Sequence, residues 1–116
     1  IGLIASNREV FYELFDSWAR EIAPRHLDVS SEAWQEFRER MYGGEFVFCV
    51  GRDAVRAARS PLLVLMGNDV YHPSEISREI VALAADAELI ERWKDRDAVA
   101  EAVTRVRDFL LAHTPA

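Results

Sequence analysis

Apolar positions along the chain switch period near its midpoint. From Asn7 to Ile22, Phe11, Leu14, Phe15, Trp18 and Ile22 recur at spacings of three and four, which predicts an amphipathic helix. Arg8, Glu9, Glu13, Asp16, Arg20 and Glu21 cover its other face. Ser6 or Asn7 can cap the first turn, and Pro24 ends the helix because the residue before a proline is pushed out of helical geometry. A second helix is predicted over 31–42, with Ser30 as N-cap and Trp34, Phe37 and Met41 as its stripe. Gly43-Gly44 stops it. Residues 45–50 read as a strand or a buried extended segment, which periodicity does not separate. A short helical stretch over 53–59 leads to Pro61.

Beyond Pro61 the pattern is strand, helix, strand, helix. Leu62 to Met66 is an unbroken apolar run, as expected of a strand covered on both faces. Gly67-Asn68-Asp69 is a turn. A helix follows over 74–85 with Ile76, Ile80, Leu83 and Ala84 inward, then a strand over 88–92. The last helix, 97–113, is expected to use Val99, Ala102, Val103, Val106, Phe109 and Leu110 as its core face. A helix between two short strands supplies the crossover that parallel pairing needs. The expected fold class is therefore α/β: a helical segment (1–60) followed by a β-α-β-α unit (61–116) with parallel strands. Two such strands leave apolar edges unpaired, so the sheet reads as an incomplete piece of a larger one.

Composition narrows the function classes. The chain has 116 residues, half of them hydrophobic and 29% charged, with a net charge of −6. That acidity argues against nucleic acid and anionic lipid as partners. No apolar run approaches the ~20 residues that span a bilayer. One cysteine, Cys49, gives no intrachain disulfide and fits a reducing, cytoplasmic compartment; in its apolar run it is expected to be buried. No leader is expected, since no basic segment precedes the apolar stretch 1–5. A first residue of Ile is consistent with a trimmed product or a part of a longer protein. His26, His72 and His113 share no metal-ligand spacing, so neither a metal nor another cofactor is expected.

The candidate chemistry lies in Gly67-Asn68-Asp69-Val70-Tyr71-His72-Pro73, between a strand's carboxyl end and a helix, where open α/β sheets bind ligands. Asp69 there can orient a histidine as a triad acid does; it also reads as an ordinary turn residue. Tyr71 and His72 are candidate pocket walls, and His72 equally suits a backbone bond at the start of the next helix. Trp18 and Trp34 serve packing, or a lid over an apolar substrate. No Gly-x-Ser-x-Gly elbow and no glycine-rich phosphate loop is present.

The order Pro61–Met66, Gly67-Asn68-Asp69, a proline and a helix, then Ala87-Glu88-Leu89 and a closing helix resembles the late part of the α/β-hydrolase fold. The resemblance implies that residues 6–60 are a helical cap, that 1–4 end the preceding strand, and that Asp69 stands where the family's acid can stand. It also implies a small-molecule substrate in a full-length parent, with Asp69 catalytic and Tyr71, His72, Trp18 and Trp34 lining its pocket. The family's nucleophile and oxyanion segments are absent here. Trp93-Lys94-Asp95-Arg96-Asp97 stands where its histidine would follow the last strand. The chain alone is thus expected to be inactive, as the C-terminal portion of a hydrolase-like protein. The alternative is a non-catalytic module derived from that fold. Its partners would be copies of itself, as a homo-oligomer, or the missing N-terminal part.

Overall fold

A computed structural model describes residues 2–48 and 50–114. Ile1 and Cys49 lie outside them, and with them the buried-cysteine expectation and the first residue of the proposed strand end. The elements are α1 (Arg8–Ile22), α2 (Ser31–Tyr42), α3 (Arg52–Ala57), β1 (Leu62–Leu65), α4 (Ser74–Leu83), β2 (Ala87–Ile90) and α5 (Val99–His113), with a single 3-10 turn, Ala23–Arg25, carrying Pro24. The fold is mixed α/β. β1 and β2 pair parallel, Leu62 with Ala87 through Leu65 with Ile90, and α4 makes the crossover.

Local chemistry explains most boundaries. The Ser30 hydroxyl accepts the Ala33 N–H at 3.2 Å and starts α2 as its sequence predicts. Asn7 precedes α1 as expected, but its side chain makes no cap bond to that helix. It turns backward instead: Oδ1 accepts the Ile4 N–H, and Nδ2 donates to the carbonyls of Gly2 and Val70. Among the described residues of 45–50 there is no strand, and Val47 and Val50 close a tight turn. Phe46 in that segment is buried against Val55 and Ile76, with Ile4, Ile80 and Leu83 packed around them. Asn7 thereby ties the chain's start to the loop after β1, and Phe46 joins the helical segment to α4.

Three expectations about burial fail. In α1, Phe11, Phe15 and Ala19 are buried, while Leu14 and Trp18 are about half exposed, and so is Phe37 of α2. In α5, Ala102 is buried and Val106 and Phe109 are half-buried, but Val99, Val103 and Leu110 face solvent. β1 was expected to be covered on both faces, yet Leu62–Leu65 are all only half-buried. The Leu62 N–H bonds to the Asp86 carbonyl just before β2, and the Met66 N–H to the Ile90 carbonyl at the end of β2. Strand alternation therefore turns the Leu63 and Leu65 N–H groups to the opposite edge, where no strand stands among the described residues.

The whole chain repeats this on a larger scale. Its radius of gyration is 17.6 Å, against about 13 Å for a compact chain of this length. Its accessible surface is 8194 Å², against about 6,400 Å² for a compact monomer of this mass. Among the described residues no helix is long and apolar enough to cross a membrane.

Candidate functional site

The site is built where β1 and β2 both end. In-register pairing of Leu65 with Ile90 sets the loop after β1 beside Trp93 and Lys94. The Trp93 Nε1–H donates to the Met66 carbonyl at 2.8 Å, and Lys94 lies over the Trp93 ring, 5.0 Å from its centroid. The loop is folded tightly by Gly67: a Cβ there would sit 2.0 Å from the His72 carbonyl oxygen, so close backbone approach requires glycine.

Within the loop, Asp69 and His72 come together. Asp69 Oδ1 accepts the Tyr71 and His72 backbone N–H groups at 3.0 and 2.9 Å and meets His72 Nδ1 at 2.8 Å. Asp69 is thus both the turn residue and the partner of an imidazole, the two readings its sequence offered. That bond selects the Nδ1–H tautomer of a neutral His72 and leaves Nε2 free. Lys94 Nζ sits 3.6 Å from Asp69 Oδ2 and donates to Asn68 Oδ1. The hydrogen bond from the His72 ring, helped by the His72 and Tyr71 backbone N–H groups, holds the Asp69 carboxyl below its usual range.

The sign of this shift sets a pH dependence. A depressed folded pKa adds stability above the unfolded value of about 4, and that share is lost as pH falls through the folded value. Both side chains are nearly half exposed, so the effect is small. Asp69→Asn should leave neutral-pH stability little changed and flatten this part of the acid limb. Urea unfolding of both proteins across the acid range measures it.

Beside the pair opens a cleft of about 310 Å³, walled by Val64, Leu65, Ile76, Ile80 and Trp93, with His72, Ser77 and Lys94 as its polar lining. Trp18, Trp34 and Tyr71 are elsewhere. Trp18 and Trp34 meet edge to face, 5.8 Å apart, between α1 and α2. Tyr71 packs its ring edge on Phe11, and Phe11 continues through Tyr42 and Phe15 to Trp18. The candidate residues therefore fall into two sets, a dyad at a cleft and an aromatic chain inside the helical segment.

Sequence reasoning missed Ser77, Trp93 and Lys94. The signal for the last two was position, since both follow the carboxyl end of the second strand of a parallel pair. Ser77 gave none, being one serine on a helix face.

A histidine held by a carboxylate can act as a general base toward a nucleophile within hydrogen-bond reach. Among the described residues no hydroxyl is bonded to His72. The Ser77 oxygen is taken by the Gly67 N–H at 3.1 Å. Among the described residues the dyad has no nucleophile within reach. Comparison with protein-family models, with curated proteins and with solved structures gave no match to this chain.

Proposed function

We propose that this chain is the C-terminal portion of an α/β-hydrolase-like protein and has no hydrolase activity as an isolated chain. In this reading α1 and α2 form a cap, β1 and β2 close the sheet, and Asp69 is the acid at the sheet's carboxyl end. One observation carries it: β1 is parallel to β2, purely aliphatic, half-buried and unpaired along its outer edge. A strand of that kind belongs in the interior of a covered sheet. The surface excess of roughly 1,800 Å² over a compact monomer exceeds the ~800 Å² one partner contributes to a standard interface. Upstream chain would cover it.

A second reading is favoured by the solvent-facing Val99, Val103 and Leu110 of α5 together with the free edge of β1. Here copies of the chain cover one another without catalysis. One preparation tests both. With p-nitrophenyl acetate, the hydrolase-portion reading expects a non-saturating rate identical to that of Asp69→Asn; saturable hydrolysis lost in that variant overturns it. Sedimentation of the same sample over a concentration series shows a reversible dimer if the second reading holds.

A further inference from the structure

We infer that the cleft between β1, α4 and Trp93 binds a small uncharged apolar molecule carrying one carbonyl group, a ketone, ester or amide. The inference needs only the cleft and stands apart from the hydrolase-like reading. The walls are aliphatic and indole, and 310 Å³ accommodates a ligand of about ten heavy atoms.

Ser77 sets the ligand's polarity. It is only 8% exposed, and its oxygen accepts the Gly67 N–H. Its hydroxyl proton has no acceptor among the described residues, so a buried donor lines the cleft between its aliphatic walls. A buried donor favours a guest that brings an acceptor.

Charge at the mouth argues against an anion. Asp69 already meets both His72 and Lys94. Lys94 is already paired with Asp69 and partly exposed to solvent, so a carboxylate guest would gain little there against the cost of its own desolvation. Trp93 is held by the Met66 carbonyl, so its N–H is also committed. Ser77 is the buried donor that a neutral carbonyl would reach inside the cleft.

The test uses three probes of similar size on the full chain: acetophenone, ethylbenzene and benzoate. Binding is followed by NMR at the Gly67 amide and the Trp93 indole N–H. Acetophenone should shift both and bind about tenfold more tightly than ethylbenzene, the worth of one satisfied buried donor. Ser77→Ala should remove that discrimination, and Ile80→Phe, which fills the cleft, should abolish binding of both. Ile80→Phe keeps the test decisive if Ser77→Ala does not fold. Equal affinity for acetophenone and ethylbenzene, tighter binding of benzoate, or no binding of acetophenone overturns the inference.

Discussion

Replacing Phe46 with Ala should cost about 3–5 kcal/mol and leave much of the protein unfolded in water. Phe46 is 2% exposed and sits among Val55 and Ile76 with Ile4, Val47, Ile80 and Leu83 around it. Three separate segments meet on this ring, so no neighbour can move in without dragging backbone. The Arg52 guanidinium also lies over it, 4.7 Å from the centroid. Few large side chains in this chain are fully buried, and an extended shape implies a small net stability from which to subtract. Urea unfolding followed by circular dichroism measures the loss. Leu110→Ser, on the solvent-facing side of α5, serves as the control, with an expected change within about 0.5 kcal/mol.

Asn7→Ala should be nearly as damaging, at about 3 kcal/mol, although it removes only a polar group. Asn7 is 1% exposed, and all three of its hydrogen bonds run to backbone. Truncation strands the buried Gly2 carbonyl and removes the partner of the part-buried Ile4 N–H and Val70 carbonyl, and the cost of orphaned groups outweighs the modest net worth of the bonds themselves. The loss should also reach the site. Val70 lies inside the Asp69–His72 turn, so freeing its carbonyl should loosen that turn. Urea unfolding gives the stability change. Loss of a distinct Asp69–His72 signature in the histidine ring NMR spectrum gives the local one.

These two side chains show where sequence reading stops. Ser30 was legible because an N-cap bond is local, three residues long. The parallel pairing of β1 and β2 was legible because a helix between two short apolar runs leaves few other topologies. Asn7 occupies the same boundary position as Ser30, but one of its partners is 63 residues away, and no local rule encodes that. Periodicity put Val99, Val103 and Leu110 on the core face of α5, and the structure leaves them facing solvent. It does not state how wide a surface the rest of the chain offers to meet them. Asp69 and His72 were recognised as candidates by their place after a strand, and their bond is local. Trp18 and Trp34 read as packing residues or a lid on the first two helices, and in the fold they meet edge to face between α1 and α2.

Lys94 is the only lysine in the sequence, and it lines the mouth of the cleft. Amine-directed chemistry consequently has one side-chain target in this molecule. A succinimidyl ester would attach a dye or a cross-linker there without engineered cysteines, so the surroundings of Trp93 can be read optically in the unaltered polypeptide. The chain carries its own attachment point for a reporter at the place where a reporter is most useful.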